Sequence, residues 1–147
     1  MATMLETGRQ MMRGEREPFP VARLLGLVLQ AVEPGRAVFG LEAGERHHNP
    51  MGTLHGGVYC DLADAAMGWA YAATLAEGES FTTVEMKINF LRAVRTAALT
   101  AEARVVKAGA NAGYVECEVK DQDGRLVARA SSTCMKLRPD PNRTGPG

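Results

Sequence analysis

Two carboxylates, Asp61 and Asp64, interrupt the stretch HHNPMGTLHGGVYCDLADAAMGWAYAA at residues 47–73, which is otherwise apolar once past its opening histidines and glycines. Leu54 to Ala76 is rich in alanine, leucine and methionine and lacks proline, so it reads as one long helix, apolar on nearly every side and therefore wrapped by the rest of the chain. An ionised carboxylate two turns inside such a helix costs several kcal/mol unless it is paired or put to use. Asp64 thus has two readings, an ion pair with an arginine of the surrounding sheet or a chemical role. Asp61 lies nearer the helix start, where the macrodipole tolerates a negative charge, and reads as a solvated or paired bystander.

Gly56 and Gly57 fall at the start of that helix, where unpaired N–H groups favour an anion or a developing oxyanion. They equally permit close packing at a helix entry. A carbonyl oxygen can be polarised there. Three other site patterns are absent: the chain has no G-x-x-x-x-G-K-[ST], no G-x-G-x-x-G and no H-E-x-x-H. The His55-Gly56-Gly57 triplet is also found in some lipases, but no G-x-S-x-G elbow accompanies it, which disfavours a serine hydrolase. Cys60, Cys117 and Cys134 are widely spaced and form no C-x-x-C pair, so they read as reduced packing residues rather than disulfides or metal ligands.

The elements that must hold these residues follow from the flanking patterns. PheProValAlaArgLeuLeuGlyLeu at 19–27 reads as a short helix, and residues 27–44 as two strands turning at Pro34-Gly35. Segments 80–94, 97–109, 113–121 and 125–137 read as four further strands in meander, the last pair joined at Asp123-Gly124. The expectation is an α+β domain over 18–137, an antiparallel sheet of about six strands wrapped around one long central helix. Residues 1–17 read as a mobile, partly helical arm and 138–147 as a disordered tail.

A chain of 147 residues with 46% hydrophobic content suits one domain, and 17 basic against 17 acidic residues leave no net field for nucleic acid. The longest uncharged apolar run, Ala65 to Ala76, falls short of the about 20 residues that a membrane span needs. No secretory signal pattern opens the chain, so a cytoplasmic location is expected.

The HHNPMGTLHGGVYCDLADAAMGWA segment, with LLGLVLQAVEPGRAVFGLEAG before it and VEMKINFLRAV after it, resembles the hotdog-fold acyl-CoA thioesterases of the phenylacetate-pathway, PaaI-like type. The likeness runs from about Phe19 to Leu137. It implies hydrolysis of an acyl-CoA or aryl-CoA to free acid and coenzyme A, without cofactor or metal, by a homodimer or homotetramer. It also implies site roles. Asn49 and the Gly56 N–H would polarise the thioester carbonyl, Asp64 would activate water or act as nucleophile, Thr83 would hold the water or the aspartate, and His55 would shape the loop near the sulfur. Gly57, Arg92 and Lys107 are implied in substrate binding, the two cations as candidates for the coenzyme A phosphates. Asp61 stands where a small hydroxyl residue is common in that family, and the 107–113 loop lacks a second basic residue often found there. Two competing readings are a non-catalytic acyl-CoA binding or regulatory module and a hotdog hydratase or dehydratase.

Overall fold

The computed structural model describes residues 2–140; most of the segment read as a C-terminal tail, 141–147, lies outside them. The chain forms helix α1 (Met4–Met12), helix α2 (Pro20–Leu25), strands β1 (Leu27–Glu33) and β2 (Arg36–Ala43), and helix α3 (Gly56–Ala72). Strands β3 (Ser80–Phe90), β4 (Ala97–Ala108), β5 (Ala112–Lys120) and β6 (Leu126–Leu137) follow. Proline opens α2 at its first position, and Gly26 ends it in the left-handed region. Gly35, at φ +80°, completes the predicted β1–β2 turn with Pro34 ahead of it.

All six strands form one antiparallel sheet in the order β1-β2-β4-β5-β6-β3. Helix α3 lies in its concave face, with Leu62, Ala63, Ala66, Met67 and Ala70 fully buried. Facing side chains alternate along the strands, as the period of two requires: Ala37, Phe39 and Leu41 on β2, Ala101 and Ala103 on β4, Val115, Cys117 and Val119 on β5. The alanines on both surfaces let the curled sheet approach the helix closely. Cys60, Cys117 and Cys134 are free thiols, the last two buried among these packing residues.

The expected meander of four strands is corrected by this order. Only β4, β5 and β6 follow one another; β3 pairs with β6 at the edge, and β4 is inserted beside β2. The crossover after β3 is fixed by the loop ahead of α3, since Leu54 N–H donates to Val94 O and the His48 ring bonds Arg95 O at 2.8 Å. Alternation within a strand specifies its buried face but not its neighbour, so this crossing leaves no trace in the pattern.

Within the segment read as an arm, α1 is capped by Thr3, whose Oγ1 accepts from Glu6 N–H, and it packs on α3 and β1. Gly8 is buried there: a Cβ added to it would lie 3.0 Å from Trp69 Cζ3 and 3.2 Å from Val32 Cγ1. No helix among the described residues is long and apolar enough to cross a membrane.

Candidate active site

Asp64 is half-buried in α3 and has no cationic side chain within 4.0 Å among the described residues. Its one hydrogen bond comes from Thr83, whose Oγ1 donates to Oδ1 at 3.1 Å. The ion-pair reading of Asp64 therefore falls away, and an uncompensated carboxylate is left at the edge of a largely apolar pocket of about 160 Å³. Thr83 reaches it from the inward face of β3, which it shares with Phe81. A bulge between Thr83 and Glu85 follows, and beyond it Met86 and Ile88 face inward, so the extra residue resets the alternation.

Asp61, one turn earlier, is exposed. Burial pushes its carboxyl above the ordinary range, and the negative charge of Asp64 adds to the shift. The Cys60 thiol is pushed up by burial and by both aspartates, the reverse of what activates a nucleophilic cysteine.

The predicted carbonyl-binding groups gather at the other end of α3. Asn49 Oδ1 accepts from Met51 N–H at 3.0 Å and Thr53 N–H at 3.1 Å, which is the Asx turn its position before Pro50 suggests. That turn saturates the oxygen and orients the amide. Nδ2 then gives one hydrogen to Thr53 Oγ1 at 2.8 Å and keeps its second. His55 is the N-cap, and its Nδ1 accepts from Gly57 N–H at 2.9 Å; Val58 N–H is taken by His55 O. Gly56 N–H meets no acceptor among the described residues, so of these first three donors it is the free one. Gly56 lies close under the Phe90 ring, where a Cβ would sit 3.2 Å from Cζ.

Asn49, Gly56, Tyr59, Phe90 and Arg92 line a second pocket, of about 370 Å³. Gly56 and Asp64 are eight residues apart, so the helical rise separates the two groups by about 12 Å. The structure thus brings Asn49, Gly56 and Arg92 together, brings Asp64 and Thr83 together, and keeps the two sets apart within one chain. Lys107 joins neither: it lines a shallow pocket with Gly113, Tyr114 and Thr133. Among the described residues no group of three or more His, Cys, Asp or Glu side chains is placed to hold a metal ion.

The walls of the Asp64 pocket were not singled out from sequence. Gly68 and Trp69 belong to it, Gly68 four positions after Asp64 and Trp69 four after Ala65, on two adjacent rows of α3 that the 3.6 period makes legible. Phe19, Phe81 and Met4 complete it from distant segments and carry no local signal.

The thioesterase superfamily model matches residues 51–128, just over half of the chain. The 1,4-dihydroxy-2-naphthoyl-CoA hydrolase of Listeria monocytogenes is 30% identical over 78% of this chain and 94% of its own. Human acyl-coenzyme A thioesterase 13 is 25% identical over 90% of this chain and 96% of its own. A phenylacetic acid degradation-related protein from Ralstonia eutropha superposes with a TM-score of 0.79 at 35% identity, covering 87% of this chain and 98% of that one. Sheet, central helix and these likenesses together define a hotdog-fold enzyme that hydrolyses thioesters. The chain belongs to the thioesterase superfamily, with PaaI-like relatives among its structural neighbours.

Proposed function

We propose that the protein hydrolyses acyl-CoA or aryl-CoA thioesters to the free acid and coenzyme A, at sites shared between two copies of the chain. The observation that carries this reading is Asp64, a half-buried carboxylate without a cation among the described residues, hydrogen-bonded by Thr83 at an apolar pocket. A carboxylate in that setting is suited to take a proton from water as the oxygen attacks the thioester carbon. The carbonyl oxygen becomes an oxyanion, which the Gly56 N–H and the second Asn49 amide hydrogen stabilise. Collapse of the tetrahedral intermediate breaks the C–S bond, and the thiolate leaves with the proton returned from Asp64. The hydrolase named for a naphthoyl-CoA among the relatives supports a CoA thioester as substrate.

Donors and carboxylate meet only if a second copy supplies one set. Strand β3 is one of the two edges of the sheet, and along it Thr83 lies beside Asp64 and Phe90 beside Gly56. Two copies paired antiparallel through β3, with the two-fold axis midway between Thr83 and Phe90, set the Asp64 end of each against the Gly56 end of the other. Arg92, in the Gly56 pocket, is then the better placed of the two cations for a coenzyme A phosphate. The reduced cysteines suit a cytoplasmic setting.

The test is thiol release from a panel of acyl-CoAs by the wild type and Asp64→Asn. The substitution should lower kcat by roughly 10²–10⁴ with a much smaller change in KM. A folded Asp64→Asn protein with undiminished kcat overturns the role of Asp64. Saturable CoA-ester binding without thiol release by the wild type replaces the enzyme with a binding module.

A further inference from the structure

Helix α1 lines part of the open Asp64 pocket. Met4 contributes to its wall, together with an aromatic cluster in which Trp69 stacks on Phe19 at 6.5 Å between ring centroids. The helix is seated on that cluster by Gly8, whose missing side chain lets the α1 backbone lie against the Trp69 ring. Pocket volume and seat together set a limit. An enclosed cavity of about 150 Å³ holds one benzene molecule, and this open pocket offers about 160 Å³.

Resting on the proposed function, we infer that α1 is the end wall of the acyl-binding site and sets the enzyme's size limit. The acyl groups accepted are compact ones, a single aromatic ring or an aliphatic chain of about six carbons. A longer chain entering past Asp64 runs into Met4 and has to lift α1 from Trp69. Met4 and Gly8 are thus specificity-determining residues, Met4 by filling the end of the pocket and Gly8 by holding the helix that carries it. Neither touches the reacting atoms.

Trp69 is the sole tryptophan of the chain, so its emission reads both the pocket and the seat without any turnover. Free butanoate, hexanoate and benzoate should perturb Trp69 emission in the wild type, and decanoate should bind at least ten times more weakly than hexanoate. Met4→Ala removes three heavy atoms from the end wall. It should raise kcat/KM for octanoyl-CoA relative to hexanoyl-CoA by about 4-fold for each methylene newly buried, hence about 15-fold for two. Gly8→Leu should red-shift Trp69 emission and move the chain-length preference in the same direction. Met4→Trp, which fills the pocket, should move it toward acetyl-CoA and serves as the check should Gly8→Leu fail to fold.

The two readings fail separately. No thiol release from any acyl-CoA sinks the proposed function, while the fluorescence titrations still report which acids enter the pocket. Decanoate binding as tightly as hexanoate in the wild type, or an unchanged chain-length profile in both Met4 variants, overturns the role of α1.

Discussion

A chain carrying Asn49→Ala and a chain carrying Asp64→Ala should each be nearly inactive alone and active together. The reason is distance. Attack on a thioester needs the activated water and the oxyanion donors within about 3–3.5 Å of the reacting atoms, whereas the rise of α3 puts the Gly56 N–H about 12 Å from Asp64. In a mixed pair, one site combines both lesions and the other has Asn49 from the Asp64→Ala chain and Asp64 from the Asn49→Ala chain, so it is intact. A heterodimer purified through two different tags should recover about half of the wild-type rate. An unfractionated co-expressed mixture should recover about a quarter, because each site is intact only when both of its independently drawn chains are the right ones; the figure is the same for a dimer and for a tetramer of such dimers. The background is low enough to see this. Loss of an oxyanion donor costs about 10²–10³ in kcat, and loss of a general base about 10²–10⁴. Thiol release from one acyl-CoA, normalised to protein, measures the outcome. A purified heterodimer as inactive as its parents would show that both groups act within one chain and refute the shared site.

Asp61→Asn should raise Tm at pH 7–8 and leave it unchanged near pH 3. A carboxyl whose folded pKa is raised above its ordinary 3.8 by burial binds its proton more tightly when folded, so stability falls as pH climbs from the unfolded to the folded value and stays lower beyond it; a lower Tm at pH 7–8 would contradict this. The Tyr71 hydroxyl is buried without a hydrogen-bond partner among the described residues, so Tyr71→Phe should stabilise the fold by about 1 kcal/mol, a rise of about 2–4 °C in Tm. A fall in Tm by calorimetry would mean that a buried water or other partner serves that hydroxyl.

Much of the fold was legible because burial leaves a periodic record. Helix α3 announced itself by being apolar all round, and its ends shifted by only a few residues, from the expected 54–76 to Gly56–Ala72, because His55 rather than an upstream residue provides the cap. The strands showed through alternation and through the turns at Pro34-Gly35 and Asp123-Gly124, where glycine takes a positive φ. What did not show was adjacency. The placement of β3 beside β6 rests on the crossover after Phe90, held by hydrogen bonds from the 47–55 loop to main-chain oxygens of residues 94 and 95, and main-chain acceptors are the same for every residue type. Helix α1 was obscure for a related reason. Its seat depends on one missing side chain, at Gly8, meeting one ring, at Trp69, sixty-one positions away.

In the site, the three histidines ahead of α3 are spent on structure, and the donors to spare are those of Gly56 and Asn49. His47 takes a hydrogen bond from Gly44 N–H and bonds Leu25 O at 2.8 Å, His48 bonds Arg95 O, and His55 caps α3. Three histidines in nine residues thus serve to fix the 44–57 segment against α2 and the crossover. That fixing is what leaves Gly56 N–H and one Asn49 hydrogen open in the same pocket, since Asn49 Oδ1 is saturated by the turn it closes. The Asx turn and the carbonyl-binding role proposed for Asn49 are compatible, because the turn uses Oδ1 and the bond to Thr53 only one Nδ2 hydrogen. Asp64 was legible for the opposite reason. A charge in an apolar helix has to be explained by something outside the helix, and here that partner is the hydroxyl of Thr83 instead of an arginine. A hydroxyl orients a carboxylate without neutralising it, which the proposed activation of water requires and a salt bridge would not allow.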